Sequence, residues 1–379
     1  MKTLVYLMII IGAIGLVLSG CSLFGMNGDD DDDDGGGESS DFRKISGSGT
    51  ITIHVTDANT DHGGEVLMYG ASGISFGQYE RVGSDSTVSS DDFSLTIHQD
   101  GSGDFIFTGG QTVGVVAGII DVNGDYQIND GDYYAFEENV TVNGDETITF
   151  DYPADFSLIS NSGTITIEIN GANTAHNGHG LMYGASGIPF GQYERVGGEI
   201  FVDSDAMSLT LQNGGDFEFT GGTTVGFVGC IIDNNGSNSI DDGDWYAIEK
   251  DITISGDETV TFNYPTDFNQ ISGTGTVTLQ ILNANDSHSG EDLMYGASGI
   301  IFGEAERTGD SATISSDDFS LTIPQEHTVD DFQFIGGDTV GFVGCIIDAN
   351  ADGLANDDDY IASRSNVLVN GDRTITFEY

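Results

Sequence analysis

Basic residues are the first scarcity: nine Lys plus Arg stand against 62 Asp plus Glu in 379 residues, a net charge of −53. Such a chain is repelled by nucleic acid and by anionic headgroups, which excludes non-specific binding to either. Proline is almost missing, at four residues, so rigid linkers are few. The three cysteines carry no zinc spacing, and no phosphate-binding loop is present. A nucleophile elbow is missing too: Tyr69-Gly70-Ala71-Ser72-Gly73 would need glycine where Ile74 stands. No run past the first twenty residues is long and apolar, and no helical period stands out. What is abundant is glycine, at 56 residues, while 38% hydrophobic and 10% aromatic content suffices for packed cores. At roughly 100–200 residues per domain, the length predicts two to four domains.

The N-terminus addresses the chain. Met1-Lys2-Thr3 precedes an apolar run from Leu4 to Leu18. As a helix that run spans about 22 Å, short of the roughly 30 Å hydrocarbon core, and reads as a signal peptide over residues 1–20. Leu18-Ser19-Gly20-Cys21 resembles a bacterial lipobox. The resemblance implies that Cys21 is the acylated first residue of the exported chain, and Ser22 after it implies the outer membrane or cell surface. Residues 21–40 then form a Gly/Ser/Asp tether with six consecutive aspartates, 29–34, whose self-repulsion keeps it extended.

Three copies of one module follow. Leu-Met-Tyr-Gly-Ala-Ser-Gly-Ile begins at Leu67, Leu181 and Leu293, offsets of 114 and 112 residues. The expected repeats cover 41–153, 154–265 and 266–379, each headed by Asp-Phe (Asp41-Phe42, Asp155-Phe156, Asp267-Phe268). Alternation in Thr50-Ile51-Thr52-Ile53-His54-Val55 and in Glu146-Thr147-Ile148-Thr149-Phe150 has period two. Seven or eight strands fit each copy. The fold class expected is therefore all-β: three tandem antiparallel β-sandwiches of Ig-like or prealbumin-like kind. Joints of two or three residues predict a semi-rigid rod. The apolar strand 112–120 lacks alternation and should be covered on both faces. Cys230 and Cys345 sit in that strand in copies two and three, a domain length apart, too far for a disulfide, and read as core residues.

Directly after this strand, each copy places oxygen-bearing residues at alternate positions. Copy one gives Asp121, Asn123, Asp125, the carbonyl of Gln127, Asn129 and Asp132 at positions 1, 3, 5, 7, 9 and 12. Copy two gives Asp233, Asn235, Ser237, the carbonyl of Ser239, Asp241 and Asp244; copy three gives Asp348, Asn350, Asp352, the carbonyl of Leu354, Asn356 and Asp359. Ca²⁺ takes six to eight hard oxygens at 2.3–2.6 Å, and alternate side chains of a tight turn converge on one point. The spacing resembles the calcium loops of EF-hands and dockerins, without their flanking helices. Loop and closing strand together look like bacterial transthyretin-like or carboxypeptidase-regulatory-like modules. The resemblance implies structural Ca²⁺, held at about 10⁻⁴–10⁻³ M as extracellular modules hold it. Position 6 is Gly353 in copy three but Asn238 and Tyr126 in the others, and tyrosine is ill suited to a left-handed turn.

Other recurring residues have plainer expectations. His62, His176 and His288 each close an Ala-Asn-x-x-His turn and should hydrogen-bond backbone; His179 occurs in copy two alone. Glu80-Arg81, Glu194-Arg195 and Glu306-Arg307 lie on strands, so each Arg should pair within its own domain. Tyr133, Trp245 and Tyr360 follow the loops and are either packed rings or a sugar-stacking strip. The function expected is non-enzymatic: a calcium-stabilised, lipid-anchored structural or adhesion-type surface protein with a protein or glycan ligand. The alternative is a carbohydrate-binding or substrate-capturing lipoprotein serving a transporter or hydrolase. The acidic surface also predicts stability that rises with salt.

Overall fold

The β-branched alternation becomes strand throughout, and the Gly, Asn and Asp clusters become the turns between. A computed structural model describes residues 40–74, 81–99, 103–188, 195–212, 217–300, 307–325 and 331–379. The signal peptide, Cys21, the tether up to residue 39 and the glutamates Glu80, Glu194 and Glu306 lie outside the described residues.

A short strand, β1 (Arg43–Lys44), comes first. The first repeat then runs β2 (Ile51–Thr56), the one-turn helix α1 (Asn59–His62), β3 (Val66–Ser72), β4 (Arg81–Thr87), β5 (Asp92–Thr96), β6 (Thr112–Asp121), β7 (Tyr133–Thr141) and β8 (Glu146–Asp151). After β9 (Ser157–Leu158) the second repeats this order: β10 (Ile165–Asn170), α2 (Asn173–His176), β11 (Gly180–Ser186), β12 (Arg195–Phe201), β13 (Ala206–Thr210), β14 (Thr224–Asp233), β15 (Trp245–Thr253) and β16 (Glu258–Asn263). After β17 (Asn269–Gln270) the third has β18 (Val277–Leu282), α3 (Asn285–His288), β19 (Asp292–Ser298), β20 (Arg307–Thr313), β21 (Asp318–Thr322), β22 (Thr339–Asp348), β23 (Tyr360–Leu368) and β24 (Arg373–Glu378).

Each repeat is a sandwich of one five-stranded and one three-stranded sheet. In the first, β5-β2-β8 faces β4-β3-β6-β7-β9. The large sheets are antiparallel. Each small sheet holds one parallel pair, β2 with β8, β10 with β16 and β18 with β24, because the last strand returns to the first after crossing the large sheet. Ile51, Ile53 and Val55 point inward from β2 onto Leu67, Tyr69, Val116 and Phe150, as period two requires. Strand β6 is buried on both faces from Val115 to Asp121, as its unbroken apolar run predicts. Cys230 and Cys345 are free thiols in the cores, where burial pushes both well above the usual thiol range.

The fifth strand of each large sheet comes from elsewhere in the chain. β9, just past the first repeat, pairs with β7, and β17 pairs with β15. The equivalent partner of β23 is β1, with Arg43 opposite Ile361 and Lys44 opposite Tyr360. The phenylalanines of the Asp-Phe headings follow their strands: Phe156 lies in the first core, Phe268 in the second and Phe42 in the third. The rod expected from the short joints is therefore corrected to a closed ring, since each repeat contacts both others. Asp41 seals the closure: its carboxylate receives Arg364 Nη2 at 2.8 Å and the Glu378 amide at 2.9 Å.

Glycine pairs make the close approaches at the junctions. Gly109 and Gly110 follow Phe107, and a Cβ on Gly109 would sit 2.1 Å from the carbonyl oxygen of Ser46. The same Gly-Gly recurs at 221–222 and 336–337, with the same obstruction from Ser160 and Ser272.

Candidate metal centre

The three acidic loops join β6 to β7, β14 to β15 and β22 to β23. In the first, Asp121 ends β6 and Asp132 immediately precedes β7, and both are buried. Asp121 accepts from the amides of Gly124 at 2.7 Å and Tyr126 at 2.8 Å. Asn123 accepts from Asp125 N and Asp125 from Gln127 N, each at 2.8 Å. Asp132 accepts from Val122 N and Asn129 N, both at 3.0 Å. Asn123 and Asp125 thus fold back onto the amide two residues on, which is the local chemistry of Asn and Asp in turns, while Asp121 and Asp132 clamp the loop from its two ends. The third loop repeats this through Asp348, Asn350, Asp352, Asn356 and Asp359. In the second, Ser237 replaces the central Asp and donates to Asp241 Oδ2 at 2.9 Å.

Position 6 is left-handed in two loops whose residue is not glycine, Tyr126 at φ 60° and Asn238 at φ 58°, and in Gly353 at φ 76°. Tyr126 therefore takes the conformation its side chain opposes, held there by its amide bond to Asp121.

Among the described residues, no three His, Cys, Asp or Glu side chains converge as an ion would need. The interior of the first loop is bridged by amides: Asn123 Nδ2 donates to Asn129 Oδ1 at 3.1 Å, and Asn129 Nδ2 to Asp125 Oδ2 at 2.9 Å. The third loop has the same pair of bridges through Asn350 and Asn356. Chemically, the donor set fits a hard cation: three carboxylates, two amides and a carbonyl in loops one and three. Electrostatics agree. Burial, reinforced by the charges of Asp121 and Asp125 against the opposing amides of Asn129 and Val122, pushes the Asp132 carboxyl up to about 6. Burial likewise raises Asp244 and Asp359.

The loops also build the joints between repeats, through residues the ligand spacing does not single out. Asp130, at position 10, accepts from the amides of Asn161 at 3.0 Å and Ser162 at 2.9 Å, beyond β9. Asp242 does the same for Gly273 and Thr274, and Asp357 for Ser48 at 2.7 Å. Position 8 supplies the apolar half of the joint. Ile128 packs with Ile159, and Ile240 with Ile271 and Ile335. Position 12 supplies the backbone: Asp132, Asp244 and Asp359 each accept, by carbonyl, from the amide of Ile159, Ile271 or Ile45 at 2.7–2.8 Å. An acid at position 10 in all three copies was the available signal.

The recurring histidines are buried beside the loops, and the rings of His62 and His288 bond a side chain, not the expected backbone. His62 Nδ1 meets Glu65 Oε2 at 2.7 Å, and His288 Nδ1 meets Glu291 Oε2 at 2.6 Å. The His62 ring centre lies 5.0 Å from Tyr133 and 4.7 Å from Tyr152. Two further ring pairs complete the analogous boxes: Trp245 packs on Tyr264 and Tyr360 on Tyr379, each at 5.5 Å. The aromatics after the loops are therefore packed edge-on within the fold and form no open strip. Arg81 and Arg195 are engaged by neighbouring groups.

No family model matches the chain, and no curated protein matches it. Solved structures that resemble it include the Bacillus anthracis TIE protein, at 10% identity and TM-score 0.17 over 89% of this chain. The chain spans half the length of that protein. A cell-adhesion candidate from Bacteroides ovatus matches at 11% identity and TM-score 0.18, over 60% of this chain and 96% of that one. The streptococcal ancillary pilin matches at 8% identity and TM-score 0.18, over 87% and 98%.

Proposed function

We propose that this chain is a non-enzymatic, lipid-anchored cell-envelope protein whose ring of three sandwiches is a calcium-stabilised structural or adhesion-type platform. The observation that carries the reading is the double duty of each acidic loop. The carboxylates at positions 1, 5 and 12 in loops one and three are those a hard cation would take, and positions 8, 10 and 12 grip the next repeat. An ion held by Asp121, Asn123, Asp125, Gln127, Asn129 and Asp132, or by their counterparts, would offset the crowded charge. It would thereby stiffen the joint that the same loop builds. Acylation at Cys21 would hold the ring at the membrane, with the acidic tether as spacer. The ligand is a protein or glycan presented at the surface.

The test is retention of cells or matrix on beads carrying the chain, with calcium and with chelator. Calcium-dependent retention that Asp348→Ala and Asp121→Ala together reduce is the expected result. Retention indifferent to calcium, or no retention above bare beads, ends this reading. Loss of fatty-acid labelling in Cys21→Ala tests the anchor separately.

A further inference from the structure

The second repeat departs from the other two at one point. Where they place Glu65 and Glu291 three residues after the buried histidine, it places His179. In repeats one and three the histidine Nδ1 is satisfied by that glutamate. Here the arrangement leaves His176 Nδ1 and His179 Nδ1 both buried and both without a hydrogen-bond partner. His176 is only 4% exposed. Its Nε2 is unpartnered as well, a property shared with His62 and His288, so the feature peculiar to this repeat is the pair of Nδ1 atoms.

Two imidazoles whose Nδ1 atoms both lack partners are complementary to a cation that accepts two nitrogen lone pairs. The ring centres stand 5.5 Å apart with planes at 66°. Two imidazoles on one tetrahedral ion, at metal–nitrogen distances of about 2.0–2.1 Å, have ring centres about 5.3 Å apart. We propose that His176 and His179 form a binding site for one borderline-soft divalent cation of the Zn²⁺, Co²⁺ or Ni²⁺ class, distinct from the acidic loops. Imidazole nitrogen selects such ions over Ca²⁺, which takes oxygen. Burial, then the neighbouring His179, lowers the pKa of His176, with the Asn234 side chain acting in the other direction.

The chain supplies its own local reporter. Trp245 is its single tryptophan, and its ring lies 6.2 Å from that of His176. The purified, untagged full chain, in excess Ca²⁺ so that hard-ion sites are filled, is titrated with Co²⁺ while Trp245 fluorescence is followed. Quenching that saturates at one ion per chain and is reversed by Zn²⁺ is expected. His179→Glu installs the residue of the other two repeats, so the fold is kept, and melting checks this. Changing an outer-shell partner alone costs a metal site about tenfold or more, and replacing one imidazole by a carboxylate that takes up His176 Nδ1, as Glu65 takes up that of His62, should weaken Co²⁺ at least that much. Asp241→Asn, in the neighbouring acidic loop, should leave the titration unchanged. The proposal is overturned by the absence of saturable quenching, by quenching that survives in a folded His179→Glu chain, or by quenching lost in Asp241→Asn, which would put the ion in the loop.

Discussion

Thr108 donates its hydroxyl to the carbonyl of Ala355 at 2.7 Å, a buried bond across 247 residues of chain. It joins the first repeat to position 8 of the third repeat's acidic loop, the counterpart of the contact that Ile335 makes with position 8, Ile240, between repeats two and three. The ring is thus closed by the same positions that hold its other joints.

Ile45 tests the closure most directly. It precedes the first repeat's own strands but is fully buried in the core of the third. Ile45→Ala should cost about 2–5 kcal/mol. The loss should appear as faster amide exchange in β22 and β23, with β6 and β7 of the first repeat much less affected. Faster exchange confined to the first repeat would restore the rod.

The position-10 aspartates should make the joints acid-labile. The amide and hydroxyl of Thr274, with the Gly273 amide, hold Asp242 below the usual carboxylate range, and the Ser48 contacts do so for Asp357. For Asp130 burial works upward, and the bonds from Ser162 and Asn161 outweigh it. A depressed folded value stabilises above the unfolded pKa of 3.8, and that contribution disappears as pH falls through the folded value. Proteolysis should therefore cut between repeats at pH 3 and not at pH 6. Asp242→Ala should bring cutting between repeats two and three closer to neutral pH, at a cost of about 0.5–1.5 kcal/mol.

Asp132 should show the opposite sign. Its folded value of about 6 lies above the unfolded 3.8, so the folded state binds the proton more tightly. In chelator, its contribution makes the chain more stable as pH falls from 7 to 5, and Asp132→Asn, which cannot titrate, should flatten that slope. Calcium should remove the slope in the parent chain, because a bound cation favours the carboxylate. A chelated profile identical in parent and variant would contradict the assignment.

Calcium itself should raise the melting temperature of the parent chain. With free ion tenfold above its dissociation constant, each occupied loop adds about 1.4 kcal/mol. Asp348→Ala should lower stability even in chelator, since Asp348 also accepts the Gly353 amide at 2.8 Å. The decisive quantity is the calcium-induced increment, which should shrink by the third loop's share. Equal increments in parent and variant would leave hairpins that need no ion.

The strands and the loops were legible because both are written in local pattern. Ile51, Ile53 and Val55 announce a buried face by alternation, and Asp121, Asn123 and Asp125 announce a folded-back turn by theirs. The ring was not legible. Residues 41–45 resemble 155–159 closely, and nothing local to either segment says which sheet edge it joins. The histidine boxes were hidden for the same reason, since Tyr152 is ninety residues from His62 and only the fold brings their rings to 4.7 Å. The one-turn helices ending at His62, His176 and His288 are too short to show a period, so the sequence presents them as turns.

Strand β1 and its partner edge on β23 are made at opposite ends of synthesis. The first two repeats receive their fifth strand from the residues that immediately follow them, so each can be finished in order. The third has to recover a segment laid down some three hundred residues earlier. Until it does, both halves of the seam are open to the matching half of a neighbouring molecule. Refolding at high concentration should therefore yield head-to-tail swapped chains, and dilution should favour the single ring.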